Sequence, residues 1–208
     1  MLASCHSGQM RLFLVRHGIT LHNIEGRYTG QADVPLAKAG QRQAQALGKR
    51  LAAVPLNAIV SSDLQRARAT AEAIARYHAL PVGEEPAMRE VALGAWESCT
   101  YAEVAARDPD LVALRRVDGT VAPPGGESFI QVRERAAGAV ERWYRQYPRG
   151  TVLCVSHAGV IEVLACQLLG IDLRHRRQFR SENASLSEFE LNEDIAILVR
   201  WNDTAHLE

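Results

Sequence analysis

The 208-residue chain lacks an excess of charge of either sign, because 24 lysine and arginine residues balance 24 aspartate and glutamate residues. A neutral protein has no overall field to draw it to nucleic acid or to an anionic membrane, so we expect neither as a partner. Any affinity for an anion must come from the local placement of arginine. Hydrophobic residues make up 47% of the chain, which suits one domain with a sizeable core.

Cysteine is scarce as well. The four cysteines, Cys5, Cys99, Cys154 and Cys166, form no C-x-x-C pair and no spacing typical of a metal site. Cys154 and Cys166 lie in apolar runs, which favours buried thiols and fits a reducing cytoplasm. Aspartate and glutamate show no metal-ligand spacing either, so we expect no metal and no other cofactor.

The sequence shows no targeting segment and no membrane span. Its first residues lack the apolar core of a signal peptide, and residues 1–9 have the character of a loose extension before a start at Met10. The most apolar window, Thr151–Ile171, is interrupted by four polar residues, so it predicts a strand followed by a helix. We therefore expect a cytoplasmic protein.

Predicted strands and helices alternate along the chain. This alternation predicts one three-layer α/β/α domain, residues 10–208, with a mainly parallel sheet and an antiparallel hairpin at its edge. Residues 88–126 have a weaker pattern and are predicted to form an insertion over the active site. The predicted strands cover residues 12–15, 56–61, 81–86, 151–156, 186–191 and 195–201, and the predicted helices cover 38–53, 100–107, 109–115, 128–146, 159–169 and a segment after a Ser62 or Asp63 cap.

Three of the predicted strands end in polar residues that suit phosphate chemistry. Arg16 and His17 follow the first strand, Ser61–Arg66 follows the second, and Ser156 and His157 follow the 151–156 strand. Parallel neighbours would bring these groups to one crevice, where arginine offers a planar fork of donors for phosphate oxygens. Taken alone, the Arg16–His17 pair favours a simpler interpretation, a histidine that caps a strand end with a solvated arginine beside it.

The surrounding motifs resemble those of the histidine phosphatase superfamily, also called the phosphoglycerate mutase-like fold. Matching pieces occur in order at residues 14–20 (Leu-Val-Arg-His-Gly-Ile-Thr), 61–71, 89–97 and 155–160. The resemblance implies the phosphoglycerate mutase-like α/β fold and a phosphohistidine at His17, the histidine of Arg-His-Gly. It also implies that a backbone carbonyl near the signature glycine holds the other N–H of that ring.

The same resemblance assigns roles to the other site residues. Arg16, Asn23 and Arg66 match phosphate ligands of the family, and His157 matches the second histidine, which holds the transferring group. Glu90 matches the carboxylate that acts as acid and base.

Three further residues belong to the predicted site or compete for a place in it. Glu97 is the alternative carboxylate to Glu90, since a glutamate at this position also recurs in the family without donating the proton. Thr29 and Gly30 lie in a polar loop predicted from His22 to Pro35 and are predicted to contact substrate.

Departures from mutase patterns favour the phosphatase branch. Ile19, Thr20 and His22 stand where mutases commonly carry Glu or Gln, then Ser, then an aromatic residue, and the segment from Trp96 to Pro123 is short. The resemblance thus implies a metal-independent phosphoric monoester hydrolase that acts on small phosphorylated metabolites through a phosphohistidine. The alternatives are a cofactor-dependent phosphoglycerate mutase, an α-ribazole phosphatase and a non-catalytic phospho-ligand binder.

Two features are left open by the sequence. The basic run at residues 174–177 is most simply a solvated face, with an acidic partner or substrate tail as the alternative. A homo-oligomer is possible, and nothing in the sequence fixes its size.

Overall fold

A six-stranded sheet runs through the centre of the computed structural model, which describes residues 8–208. The strand order across the sheet is β3–β2–β4–β1–β5–β6. Residues 1–7 hold most of the predicted N-terminal extension and lie outside the described residues. The strands are β1 Met10–Arg16, β2 Ala58–Ser61, β3 Val82–Glu84, β4 Thr151–Ser156, β5 Leu186–Leu191 and β6 Ala196–Asp203.

The sheet is mainly parallel, as predicted. Strand β1 pairs in parallel with β4, β4 pairs in parallel with β2, and β2 does so with β3. The last two strands are antiparallel, because β5 pairs with the other edge of β1 and β6 folds back on β5. The three predicted polar strand ends therefore meet at one edge of the sheet.

Seven α-helices and four short 3₁₀ turns surround this sheet within residues 8–208. The helices are α1 Leu21–Ile24, α2 Lys38–Leu51, α3 Gln65–Ala75, α4 Tyr101–Arg107, α5 Pro109–Val117, α6 Phe129–Gln146 and α7 Ala158–Leu168. The 3₁₀ turns are Pro86–Met88, Gly94–Trp96, Leu173–Gln178 and Ala205–Leu207.

Alternation of side chains along β1 produces the three layers. Leu12 and Leu14 enter the core beneath α6 and α7, whereas Phe13 and Val15 enter the core beneath α2 and α3. Successive residues of a strand point to opposite faces, so a run that is apolar at every position must be covered on both. The predicted three-layer α/β/α architecture is confirmed.

The apolar window 151–171 forms β4 and α7, as its polar interruptions predicted. Cys154 and Cys166 are buried free thiols in these two elements, and burial raises the pKa of Cys166 to about 11. Within residues 8–208, no helix has both the length and the apolar character that a membrane span needs.

The start of α3 differs from the prediction. Neither Ser62 nor Asp63 caps the helix, and the first helical N–H donates instead to the carboxylate of Asp33, at 2.8 Å. The Ser62 hydroxyl contacts the ring of His157, and Asp63 forms an ion pair with Arg89. Both predicted caps are engaged in other contacts, so a carboxylate from a distant loop takes their place.

The polar loop predicted from His22 to Pro35 begins with a helical turn that the sequence analysis missed. Thr20 caps α1 by accepting a hydrogen bond from the Asn23 N–H, and the Asn23 side chain accepts one from the Thr20 N–H. This reciprocal pair is a capping box with asparagine in the place of glutamate.

The basic run at residues 174–177 is solvated only in part. Arg174 and Arg177 are exposed, but Arg176 is 3% exposed and donates to the carbonyls of Arg115 and Leu173. The guanidinium carbon of Arg176 lies 3.7 Å from the ring centroid of Phe129. Carbonyl acceptors and an aromatic face explain how this cation is accommodated in the interior.

The turn after β1 packs backbone against backbone on the first turn of α2. A Cβ on Gly18 would lie 2.5 Å from the carbonyl oxygen of Gly40, and a Cβ on Gly40 would overlap the carbonyl oxygen of Ile19. Both glycines are required for this close approach. The crossing fixes the direction in which the chain leaves the sheet after His17.

We predict that Gly40→Ala lowers the free energy of unfolding by about 2 kcal/mol or more, since the added methyl group meets backbone that cannot move independently. Gly138→Ala is the matched control in α6, where the new Cβ meets only the Arg142 side chain, at 3.8 Å. That variant should be more stable by about 0.5–1 kcal/mol. Urea unfolding curves compare both variants with the wild type, and equal effects would contradict the proposed crossing.

Candidate active site

The carboxyl ends of β1, β2 and β4 surround a pocket of about 180 Å³. Seven of the eight predicted site residues line this pocket. The eighth, His157, lies next to it, with its ring centroid 5.0 Å from that of His17. The structure therefore brings all of the predicted site residues together. Those that line the pocket are Arg16, His17, Asn23, Thr29, Gly30, Arg66 and Glu90.

His17 is 4% exposed, and its Nδ1 lies 2.7 Å from the carbonyl oxygen of Gly18. A carbonyl only accepts hydrogen bonds, so Nδ1 carries the proton and Nε2 keeps its lone pair. Burial and then the charges of Arg66 and Arg16 hold the pKa of His17 well below its usual value, although the Gly18 hydrogen bond opposes them. The ring is therefore neutral near pH 7, with Nε2 able to attack an electrophile.

His157 is held by a residue that the sequence analysis did not place in the site. Its Nε2 lies 2.9 Å from the Ser62 hydroxyl, while its buried Nδ1 has no hydrogen-bond partner among the described residues. Burial, followed by the charge of Arg66, keeps the pKa of His157 well below its usual value. Ser62 lay in a matched motif, but the sequence alone favoured a helix cap.

Arg66 is fully buried beneath the loop that contains Thr29 and Gly30. Its Nη1 and Nη2 donate to the carbonyl oxygens of Ala32 and Gly30, at 2.8 and 2.7 Å. Its Nε has no partner within residues 8–208, and the hydroxyl of Thr29 is likewise buried without one. Arg66 thus anchors the loop and keeps donor capacity for an anion.

Like Arg66, Arg16 uses part of its guanidinium group to bind a backbone carbonyl and leaves its Nε without a partner in the described residues. Its Nη1 donates to the carbonyl of Ser181, and its buried Nε has no partner in the described part of the chain. Burial lowers the pKa of Arg16 and of Arg66, but a guanidinium group remains charged at neutral pH. Two fixed positive charges therefore face the pocket.

Asn23 is oriented by three donors. Its Oδ1 accepts hydrogen bonds from the Thr20 N–H and hydroxyl and from Nδ2 of Asn183, at 3.0, 3.0 and 3.2 Å. This leaves the Nδ2 group of Asn23 as a donor toward the pocket. Asn183 also donates to the carbonyl of His17, at 3.1 Å. No pattern in the sequence singled out Asn183, which lies in an irregular segment before β5.

Glu90 lies beside the first turn of α7. Its carboxylate accepts hydrogen bonds from the N–H groups of Val91 and Gly159, at 2.9 and 3.3 Å. A Cβ on Gly159 would lie 2.6 Å from Oε1 of Glu90, so glycine is needed for this approach. The carboxylate and the two arginines line the same pocket.

A partly buried ion pair fixes the segment that carries Glu90. Arg135 on α6 donates to the carbonyls of Ala87 and Glu90, at 2.6 and 3.2 Å. It also forms a bidentate pair with Glu127, whose carboxylate accepts from the N–H of Ala92 at 2.9 Å. Glu127 and Arg135 are eight positions apart, and no pattern in the sequence singled out either residue, so this pair was missed.

Glu97 has a different position from Glu90. Its Oε1 accepts hydrogen bonds from the N–H groups of Gln31 and Leu93, at 2.9 and 3.1 Å. It packs against Gly30, where any side chain would overlap the Glu97 carboxylate. Glu97 thus ties the loop over Arg66 to the 3₁₀ turn Gly94–Trp96.

Glu162 is a further carboxyl group that the sequence analysis noted only as a polar interruption. It lies on α7, one turn beyond Gly159, and forms no hydrogen bond or ion pair with the described residues. Burial, reinforced by the charge of Glu90, raises the pKa of Glu162 to about 8.

No group of three or more histidine, cysteine, aspartate or glutamate side chains is placed to hold a metal ion anywhere in residues 8–208. The charged groups at the pocket are instead guanidinium groups and single carboxylates.

The family model of the histidine phosphatase superfamily (branch 1) matches residues 12–204, and the chain belongs to this superfamily. The bifunctional protein Rv2228c of Mycobacterium tuberculosis is 39% identical over 199 residues, which are 95% of this chain and 55% of that protein. This chain thus spans about half the length of that relative.

Two further similar proteins are named phosphatases, which are hydrolases. Phosphoserine phosphatase 1 of Hydrogenobacter thermophilus is 34% identical over 199 residues, with 95% of this chain and 94% of that protein covered. The structure of mycobacterial glucosyl-3-phosphoglycerate phosphatase Rv2419c with VO3 is 33% identical, covers 92% of this chain and 98% of its own, and has a TM-score of 0.86. The predicted family and α/β fold are confirmed.

The two buried histidines predict a pH dependence of stability. The native pKa of His157 lies below the value of about 6.5 in an unfolded chain. As the pH falls through that value, the unfolded state takes up a proton that the native state does not, so stability falls. We expect His157→Gln to remove about 1 kcal/mol of the stability lost between pH 7.5 and pH 5.5, measured by urea unfolding.

Glu162→Gln is the control of opposite sign. Because the pKa of Glu162 is raised, the unfolded chain releases this proton at a lower pH than the native state does. The contribution of Glu162 to the free energy of unfolding therefore falls as the pH rises. Relative to the wild type, Glu162→Gln should become more stable as the pH is raised from 5.5 to 7.5. A pH response of both variants identical to that of the wild type would contradict these two assignments.

Proposed function

We propose that this protein is a phosphomonoesterase that forms a phosphohistidine at His17 and requires no metal or other cofactor. The observation that carries the proposal is the set of buried donors around the neutral His17 ring. Nε of Arg16, Nε of Arg66 and Nδ1 of His157 all lack a partner among residues 8–208. Nδ1 of His157 is a donor in the tautomer whose Nε2 accepts a hydrogen bond from the Ser62 hydroxyl. A phosphoryl group has three oxygens that would satisfy such donors.

In the first step, Nε2 of His17 attacks phosphorus and the bond from phosphorus to the leaving oxygen breaks. Gly18 holds the opposite ring nitrogen, so the reacting lone pair points into the pocket. Arg16, Arg66, Asn23 and His157 surround the phosphoryl oxygens and stabilise their negative charge in the transition state. Glu90 gives a proton to the departing alkoxide.

In the second step, a water molecule attacks the phosphohistidine. Glu90, now ionised, accepts a proton from that water, the nitrogen–phosphorus bond breaks, and inorganic phosphate leaves. The electron pair returns to Nε2 of His17, which restores the neutral ring. Each proton taken up in one step is released in the other, so the cycle needs no further reactant.

Small phosphorylated metabolites are the proposed substrates. A pocket of about 180 Å³ suits a phosphoryl group and a short piece of the alcohol. The names of the similar proteins support hydrolysis, since phosphoserine phosphatase 1 and glucosyl-3-phosphoglycerate phosphatase are both phosphatases. Buried free thiols at Cys154 and Cys166 support a cytoplasmic location.

His17→Ala should abolish turnover of every phosphomonoester while the fold is retained, because no other neutral nitrogen is held at this position. Brief reaction of the wild type with labelled substrate, followed by an acid quench, should leave phosphate on His17. The label should form equally in excess EDTA. Label on serine or aspartate, or turnover by the alanine variant, would refute the assignment.

The same preparation distinguishes the alternatives. Release of inorganic phosphate without stimulation by 2,3-bisphosphoglycerate supports the phosphatase. Rapid interconversion of 2- and 3-phosphoglycerate with negligible phosphate release would favour the mutase, and tight phosphate binding without turnover would favour a binding protein.

Glu90→Gln should slow phosphorylation by alkyl phosphates by about 10²–10⁴-fold, the usual contribution of a general acid. It should have much less effect on the burst of p-nitrophenol from p-nitrophenyl phosphate, because that leaving group departs without a proton. Pre-steady-state measurement isolates this step from the later water attack.

Glu97→Gln is the comparison, since the amide keeps an oxygen to accept from Gln31 and Leu93. Equal losses on both substrate types in Glu90→Gln would remove Glu90 from the acid role. The expected leaving-group dependence in Glu97→Gln would transfer the role to Glu97.

A further inference from the structure

The irregular segment at residues 181–185, just before β5, lies against the end of β1 that carries the site. The carbonyl of Ser181 accepts a hydrogen bond from Nη1 of Arg16. The N–H of Ala184 donates to the carbonyls of Arg16 and His17, at 3.0 and 3.1 Å. The backbone of this segment is therefore fixed to the two residues with which the site begins.

The other side of this segment is held by residues near the end of the chain. The N–H of Glu182 donates to Oδ1 of Asn202 at 2.7 Å, and Nε2 of His206 lies 3.0 Å from the carbonyl oxygen of Ala184. Ala184 is buried and has a φ of +58°, in the left-handed region that residues other than glycine rarely adopt. Such a conformation persists when the surrounding contacts enforce it, so residue 183 has a fixed position.

The side chain of Asn183 extends from this fixed backbone to two residues of the site. Its Nδ2 donates to the carbonyl oxygen of His17 at 3.1 Å and to Oδ1 of Asn23 at 3.2 Å. Both of these oxygen atoms can only accept hydrogen bonds, so the amide nitrogen of Asn183, and not its oxygen, must face them. One side chain thus joins the backbone of the proposed nucleophile to the side chain of a proposed phosphate ligand.

The orientation of the Asn23 amide decides whether this residue attracts or repels an anion. With its amide turned by 180°, Asn23 would present an oxygen, which can only accept hydrogen bonds, to the phosphoryl group. The N–H and hydroxyl of Thr20 favour the productive orientation, but Thr20 lies on the same helical turn as Asn23 and moves with it. Asn183 adds a contact that fixes the amide relative to His17.

We propose that Asn183 is a positioning residue, which keeps the Nδ2 group of Asn23 directed at the phosphoryl group bound at His17. Asn183 is not among the residues that line the pocket, so it acts through Asn23 and not on the substrate itself. This inference rests on the proposed function, in which Asn23 is a phosphate ligand. It adds to the site a residue from the segment before β5.

A double-mutant cycle between Asn183 and Asn23 tests this role. The probe is orthovanadate, a phosphate analogue whose dissociation constant can be measured by isothermal titration calorimetry without turnover. Asn23→Ala should raise this constant about tenfold or more, as expected for the loss of a hydrogen bond to a charged group. Asn183→Ala should raise it about threefold to tenfold in the wild type and by less than about twofold in the Asn23→Ala background.

The coupling between the two sites separates positioning from a general loss of structure. A variant that only disturbed the fold would raise the dissociation constant by the same factor in both backgrounds, since independent effects add in free energy. If Asn183→Ala does not fold, Asn183→Asp takes its place, because aspartate has nearly the same shape and lacks the donor. The direct effect of its charge on vanadate is present in both backgrounds and cancels in the cycle.

Asn192→Ala is the matched control. Asn192 lies in the turn at the other end of β5, where its Oδ1 accepts hydrogen bonds from the N–H groups of Asp194 and Ile195, at 3.1 and 2.9 Å. This variant also loses an asparagine that orders an irregular segment, but it has no contact with the site. Its dissociation constant for vanadate should equal that of the wild type.

Equal factors for Asn183→Ala in both backgrounds, or unchanged vanadate binding by this variant, would overturn the inference. Wild-type affinity in Asn23→Ala would overturn it as well, because the residue through which Asn183 acts would then have no part in binding. Failure of the proposed function has a different signature, the absence of labelled His17 after reaction of the wild type with p-nitrophenyl phosphate. The cycle needs no turnover, so it tests Asn183 in that case too.

Discussion

The burial of Arg66 between the sheet and the loop above it is the constraint on which the site depends. A guanidinium group with 1% exposure must find acceptors inside the protein, and the carbonyls of Gly30 and Ala32 provide them. These bonds close the loop over the pocket. Burial holds the pKa of each of the two adjacent histidines well below its usual value, and the charges of Arg66 and Arg16 lower it further, so this buried cation both shapes the site and helps to keep its nucleophile neutral.

Close backbone approach is the second requirement. The carboxylate of Glu90 fits against α7 only because residue 159 is glycine, and that of Glu97 fits against the loop only because residue 30 is glycine. The Gly18–Gly40 crossing sets the exit from β1 in the same way. At each position, glycine loses more conformational entropy on folding than another residue would, but its missing side chain allows the close contact.

The sequence predicted those features of the fold and the site that depend on local residue patterns. Apolar runs located the strands around His17 and His157, and polar residues at their ends located the site, since parallel strands end at one edge. Contacts between distant segments were not predictable. Asn183 donates to Asn23, which lies 160 positions away in the sequence. The Asp33 cap, the Arg135–Glu127 pair and the burial of Arg176 also depend on which segments of the chain come into contact. Local sequence patterns do not encode that information.

The position of β1 in the sheet also sets the order in which the protein can form during synthesis. Both neighbours of this strand, β4 and β5, follow residue 150, and Met10 pairs with Leu191. On the ribosome, neither edge of the strand that ends at His17 can therefore pair until most of the chain has emerged. Pairing between such distant segments slows folding, and unpaired strand edges favour aggregation while the chain is still incomplete.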